Sequence, residues 1–358
     1  MTLLLLLPLL AAPARAAEVT ALPPKLRGSA SLAWQTEGER ATLEEQGFDV
    51  GARSARRHDL QLSADFAAWR GVVLGVKLPV VLDQRIAWTS PREMTFDPSS
   101  GGGSFIGAER LDDVQPTSGG GLAGPSFHLT LAPLIAEQPG RRVATSTMLF
   151  EVGYRLQDRS SFWQAKADGS RGGGEGADAL LLRGAFSKQA ASSEPYLEAT
   201  VERSFTVPTT LRDAQGETIQ PKAQVRPASR VDLRAGVELP VQQAPDHSLH
   251  LDLRARFGYR TWQDIPSGLY LPDVLAASRE VLITQGDSVY GMAGLGLGLD
   301  FTRKVEARAG VDLGTQTPYR VEHPYPVRTK AGSLIWQGGI SVRVWLDDPL
   351  LGLDADPG

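Results

Sequence analysis

The sequence predicts an all-β protein: a closed antiparallel transmembrane β-barrel of about 12 strands, with short turns at one rim and long loops at the other. Three observations carry this expectation. Apolar and charged residues alternate with period two over segments of about ten residues or more. The connections between those segments alternate between short and long. The N-terminus carries an export pattern, with no further apolar stretch long enough for a membrane helix behind it.

The alternation is sharp. Leu60, Leu62, Ala64 and Phe66 oppose Gln61, Ser63 and Asp65. Met148, Phe150, Val152, Tyr154 and Leu156 oppose Glu151, Gly153, Arg155 and Gln157. Val231 to Leu239 alternates with Arg230, Asp232, Arg234, Gly236 and Glu238, and Leu249 to Tyr259 alternates with His250, Asp252, Arg254, Arg256, Gly258 and Arg260. Such segments lie near 26–36, 54–68, 72–87, 122–135, 143–157, 178–188, 195–205, 228–240, 248–261, 287–302, 304–314 and 333–346. Soluble strands average five or six residues, and most of these are longer. A lipid-facing Arg or Lys at the bilayer midplane costs about 2–4 kcal/mol, and the apolar faces carry none over their central stretches. Trp34, Trp69, Trp88, Tyr196, Trp262 and Trp345 fall near strand ends, where interfacial girdles belong.

Connections after even-numbered segments are short, around Trp69–Gly71, Ala136–Arg142, Gln189–Glu194, Val241–His247 and Arg303. Those after odd-numbered segments run to about 16–35 residues and are rich in Gly, Pro, Ser and charge. Short periplasmic turns, long extracellular loops and an even strand count belong to barrels of the outer membrane. A β-sandwich has no reason to sort its loops by parity.

Leu3 to Leu10, broken only by Pro8, is followed by Ala11-Ala12-Pro13-Ala14-Arg15-Ala16, an apolar core and small-residue cleavage site of a signal peptide. The expected organisation is a signal peptide over 1–16, a barrel over 17–346 and a periplasmic tail over 347–358, with the mature protein in the cell outer membrane. Loss of Arg15 takes the formal charge from −4 to −5, which argues against nucleic acid as a partner. The absence of Cys excludes disulfides, thiolate metal sites and a lipoprotein anchor. The 38 glycines exceed the roughly 7% of average proteins and suit many turns and small side chains in strands. The short stretch between cleavage site and first strand leaves no room for a plug domain.

Gln337-Gly338-Gly339-Ile340-Ser341-Val342-Arg343-Val344 resembles the C-terminal β-signal of bacterial outer-membrane proteins, in the positions of Gln337, Gly339, Val342 and Val344. Trp69-Arg70-Gly71 followed by Val72 to Pro79 is similar to a turn-and-strand unit of transporter-type outer-membrane proteins. The resemblance to transporter- and porin-like barrels implies recognition by the barrel-assembly machinery during biogenesis and residence among outer-membrane lipids.

The inward faces supply the candidate functional residues. They are Lys77, Glu151, Arg155, Arg183, Glu202, Arg230, Asp232, Arg234, Glu238, Asp252, Arg254, Arg256 and Arg308, joined by Glu198, Asp300, Glu306 and Asp312. They read either as a charged constriction that selects solutes or as ion pairs that fill the barrel. Asp232 with Arg256, and Glu238 with Asp252, come within cross-strand or diagonal reach. Gly294, Gly296 and Gly298 lie within a strand, where a dinucleotide site needs a strand-to-helix turn; they leave room in the lumen. Ser99–Ser104, Ser118–Gly121 and Arg171–Gly176 lack the Gly-Lys-Ser/Thr ending of a phosphate loop and read as mobile outer loops. His58, His128, His247, His250 and His323 form no metal spacing, and Asp347, Asp348, Asp354 and Asp356 lack calcium-loop spacing. No cofactor, metal or catalytic group is expected. The expected function is passive passage of small solutes through a polar lumen; the alternative is a non-conducting subunit that binds an envelope protein partner, and a surface enzyme is a third reading.

Overall fold

The computed structural model describes residues 20–23, 26–45, 48–90, 116–135, 146–157, 161–162, 171–174, 176–190, 192–212, 218–244, 247–266, 282–301, 304–322, 327–329 and 333–346. The proposed signal peptide, His323, Arg303, the Ser99–Ser104 segment and the tail over 347–358 lie outside them.

Twelve strands build the wall: β1 Gly28–Glu45, β2 Phe48–Trp69, β3 Val72–Thr89, β4 Ser126–Leu134, β5 Ser146–Arg155 and β6 Ala179–Lys188. The circuit continues with β7 Glu194–Ser204, β8 Arg230–Gln243, β9 His247–Arg260, β10 Ser288–Phe301, β11 Val305–Gln316 and β12 Ser333–Leu346. Each pairs antiparallel with its chain neighbour. β12 then returns to β1, from Gly28↔Leu346 to Arg40↔Leu334, so the sheet closes on itself. Closure satisfies every wall strand from both sides, which a bilayer demands of backbone groups it cannot hydrate.

Side-chain parity separates the two faces. Leu74, Phe150, Leu253, Leu295 and Ile340 stand outward, Leu295 at 56% exposure, while Asp252, Asp312 and Glu306 turn inward and are buried. On β9 the outward run Leu249 to Tyr259 covers about 33 Å at 3.3 Å per residue. Tilted by about 40°, it spans ~25 Å, the height of an outer-membrane apolar band.

The first hairpin departs from expectation. Residues 37–53, read as a long loop, continue the pairing of β1 and β2 up to Glu45↔Phe48, with one irregularity at Leu43/Glu44. Alternation is silent there because the outward face carries Thr36, Gly38 and Arg40, polar or small residues above the lipid band. Among the described residues, strands also occupy four of the other five long connections. Thr117–Leu122 pairs with β3, which makes Ser118–Gly121 part of the sheet and not a loop. Val207–Arg212 pairs with Thr218–Val225, Gln263–Pro266 with Leu282–Gln285, and Arg320–Glu322 with Val327–Thr329. The wall therefore rises higher on the loop side than the sequence pattern indicates.

The girdle reading is corrected for three of six aromatics. Trp34, Trp69 and Trp262 are exposed, whereas Trp88 and Tyr196 are buried and Trp345, opposite Ser29, turns inward with the Arg343 guanidinium 5.4 Å above its ring. Nearness to a strand end did not decide their direction; parity did.

Leu295 sits mid-strand on the lipid face. Leu295→Arg is expected to destabilise the barrel by about 2–4 kcal/mol, read from equilibrium unfolding in lipid vesicles. Ser63→Arg, on the inner face of β2, is expected to cost less than half of that.

Candidate functional site: a belt of alternating charge in the lumen

All thirteen lumen candidates stand on the inner face, and eight groups there join into one belt. Lys77 of β3 meets Glu151 of β5 at 3.5 Å. Arg183 of β6 bridges Glu151 at 3.3 Å and Glu198 of β7 at 2.5 Å. Arg234 of β8 bridges Glu198 at 3.7 Å and Asp252 of β9 at 3.4 Å. Arg254 of β9 meets Asp252 at 2.7 Å and Asp312 of β11 at 2.6 Å. Each of these eight charges thus has a neighbour of opposite sign on the next strand or the one beyond. Further pairs flank the belt: Arg155 with Glu202 at 2.9 Å, Arg256 with Asp232 at 2.9 Å, and Arg308 with Glu238 at 2.9 Å and with Glu306. Arg230 lies opposite Glu202 in the register of β7 and β8.

Asp232 and Arg256 do meet, diagonally. Glu238 and Asp252 lie directly opposite each other, a pairing of like charges that is unfavourable by itself. It is resolved by guanidinium groups around the pair: Arg308 of β11 takes Glu238, while Arg234 and Arg254 take Asp252.

Small residues let these side chains lie flat on the wall. Arg254 reaches Asp312 by crossing β10 at Gly296 and meeting β11 at Gly310, where an added Cβ would fall 2.7 and 2.6 Å from its Nη atoms. Tyr196 of β7 crosses Gly236 of β8 and donates to Asp252 of β9 at 2.8 Å. Tyr290 of β10 mirrors this, crossing Gly258 of β9 to donate to Asp232 of β8. The glycine run 294–298 is therefore a floor for guanidinium groups; charge paves the wall and does not fill the bore.

The bore is accordingly open on one side. A cavity of about 320 Å³ lies between the belt and a neutral arc of Ala33, Gln35, Gly339 and Ser341 from β1 and β12. A second, of about 180 Å³, lies toward the loop rim. Arg256 and Gln337 line both, and their 2.5 Å hydrogen bond links β9 to β12 where the cavities meet. Gln337, noted in the sequence for assembly, points its side chain into the lumen. Gly339 shares that face, and Val342 and Val344 point to lipid.

Both mouths are narrowed from inside. At the turn rim Thr20, 1% exposed, hydrogen-bonds Ser187 of β6 at 2.8 Å, and Leu22 packs on Leu149, Ala185 and Tyr196. Leu26 binds Ala67 of β2 through the backbone, so residues 20–23 enter the mouth between β2 and β6. No separate plug domain is needed for this narrowing. At the loop rim, the Gly-rich stretch read as a mobile loop packs on the inner wall. Phe162 is buried, Phe162 and Gly174 pair through their backbones at 2.9 Å, and a Cβ on Gly173 would meet Val81 at 2.5 Å.

Ser248, His250 and Asp300 also come together, residues the sequence reading noted separately and not as a group. Ser248 Oγ lies 2.9 Å from His250 Nε2 and donates to Asp300 Oδ2 at 2.9 Å. Asp300 meets His250 at that same Nε2, at 3.2 Å. A catalytic triad needs the carboxylate on the other ring nitrogen, so that the histidine is oriented while its free nitrogen takes the serine proton. This trio is a polar cluster of the lumen wall. His128, also inward and buried, lies 3.9 Å from Glu151. His58 faces outward and stacks on Trp34 at 6.0 Å. Among the described residues no group of three His, Asp or Glu could hold a metal ion.

Asp252 accepts bonds from Tyr196, Arg234 and Arg254. Asp252→Asn leaves two guanidinium groups at 24% and 13% exposure short of a partner and is expected to cost about 3 kcal/mol. Asp83→Asn, at an outward pair with Arg56 exposed at 38% and 48%, is expected to cost under about 1 kcal/mol. Denaturant midpoints at unchanged slope check both.

No family model matches the chain, and no curated protein matches it. Solved structures do. An outer membrane channel from Pseudomonas putida F1 is 12% identical, with 93% of this chain and 100% of that one covered and a TM-score of 0.52. The transport unit of the autotransporter AIDA-I from Escherichia coli is 12% identical over 88% of this chain and 90% of that one, with a TM-score of 0.44. The toluene transporter TodX from P. putida is 9% identical over 89% and 90%, with a TM-score of 0.37. At such identities likeness speaks of fold alone, and only the first is close enough to carry that argument. Closed wall, apolar band and matching architecture together make this chain a β-barrel of the bacterial outer-membrane type.

Proposed function

We propose that the protein is a passive channel of the bacterial outer membrane, carrying small solutes through a narrow polar bore. The observation that carries this reading is the cavity of about 320 Å³ held open between a charge-matched belt and a neutral arc. Eight-stranded barrels are filled by side chains and sixteen-stranded ones hold an aqueous channel; twelve strands leave an intermediate space. The paired signs of the belt favour weak ion selectivity at mid-membrane, because a matched pair offers little net field to a passing ion. Export through residues 1–16, assembly through the pattern around Gln337, and a periplasmic tail belong to the same reading.

A non-conducting envelope subunit is the competing reading, and the narrowing at both mouths favours it. Planar-bilayer recording of the purified protein separates the two. Stepwise current is expected; a silent membrane from protein that keeps its heat-dependent gel shift sinks the channel.

Two variants locate the resistance. Gln337→Ala frees Arg256 from its contact with β12 and is expected to raise single-channel conductance by about twofold or more. Removal of residues 20–23 opens the turn-side mouth and is expected to raise it independently, so the two effects combine in the double variant.

A further inference from the structure

We propose that the outer cavity is a binding site for a small organic carboxylate with an apolar body. This rests on the channel reading and names a class of solute for it. The cavity, about 180 Å³, lies on the loop side of the Arg256–Gln337 contact. Its polar side presents Arg260 of β9 and Gln316 of β11, and its apolar side presents Phe162, Ile265 and Met292, all buried.

Arg260 Nε and Gln316 Nε2 are both buried without a hydrogen-bond partner among the described residues. Gln316 is 5% exposed, so bulk water does not compensate its amide. A buried donor left unmade costs about 1–3 kcal/mol, and two in one cavity call for an occupant that accepts. A carboxylate accepts only, through two oxygens. The planar guanidinium matches it in geometry and charge, where an amide supplies a neutral second donor.

Charge points the same way. The other carboxylates of this region are engaged: Asp59 holds Arg57 at 2.8 Å, Asp232 holds Arg256 at 2.9 Å, and Glu39 lies 3.8 Å from Arg53 and accepts from the Tyr319 hydroxyl at 2.9 Å. Glu37 also lines this cavity, from β1, where seven arginines outnumber it and Glu39. Arg260 has no carboxylate within ion-pair distance among the described residues. An inorganic anion satisfies the donors but leaves the Phe162, Ile265 and Met292 side unused. An organic acid with a compact apolar body covers both.

Isothermal titration of the detergent-solubilised full-length barrel tests this with sodium benzoate, benzamide and sodium acetate. Benzoate is expected to bind about tenfold or more tightly than either of the others, since benzamide lacks the charge and acetate the apolar body. Arg260→Gln is expected to weaken benzoate about tenfold, and Gln316→Leu several-fold, with benzamide unchanged in both. Equal binding of benzoate and benzamide, or undiminished benzoate binding in folded Arg260→Gln protein, overturns the site. Bilayer recording of the same preparation separates the two proposals. Benzoate binding with a silent membrane removes the channel and keeps the site; steady current with no benzoate heat removes the site and keeps the channel.

Discussion

Backbone amides and carbonyls placed in hydrocarbon have no water to bond, and each one left alone costs several kcal/mol. A strand can cross a bilayer only if both of its edges are paired, and for a row of strands this means returning to the start. The β1–β12 ladder is that return, and it runs thirteen residues without a break from Gly28↔Leu346 to Arg40↔Leu334. Every other property follows from closure. Once the wall is a ring, period-two side chains have only two destinations, lipid or lumen, and the sequence on each strand must serve both at once.

The lumen then faces a problem of its own. Polar groups turned inward into a narrow bore are partly dehydrated, and a charge there needs a partner. The protein meets this with cross-strand pairing of Arg with Asp or Glu, and with glycine where a side chain must cross an intervening strand. Tyr196 over Gly236 and Tyr290 over Gly258 are two instances of one device, run in opposite directions around the wall. The same device keeps Arg254 against the sheet. Without the glycines these side chains would have to stand up into the bore, and twelve strands would enclose a packed core instead of a cavity.

Much of the wall was legible because lipid enforces it. Strands such as β9, with Leu249 to Tyr259 opposite His250 to Arg260, announce direction, length and the identity of their inner residues. Legibility ended where lipid ends. The upper part of the first hairpin carries Thr36, Gly38 and Arg40 outward and buries Ala41 and Leu43 on its other face, so it has no lipid-facing apolar run to read. The strands within the long connections escaped for the same reason. Tyr196 and Trp345 were assigned to the interface from their place along the chain, although their parity with Glu198 and Arg343 already put them inside. Arg260 and Gln316 look like any other polar residue at a strand end. Only their neighbours reveal that they lack partners.

The sequence by itself determined the closed wall, the twelve strands and which side of the sheet each charge occupies, because a two-residue repeat against hydrocarbon is a local property. The tertiary structure decided which charges meet, since Glu238 opposite Asp252 is tolerable only through Arg308, Arg234 and Arg254 from other positions. It also decided how much space remains and what narrows it: Gln337 against Arg256, Thr20 against Ser187, and Gly173 against Val81. These contacts join residues far apart in the chain. Their geometry depends on register and curvature around the whole ring, which no local pattern encodes.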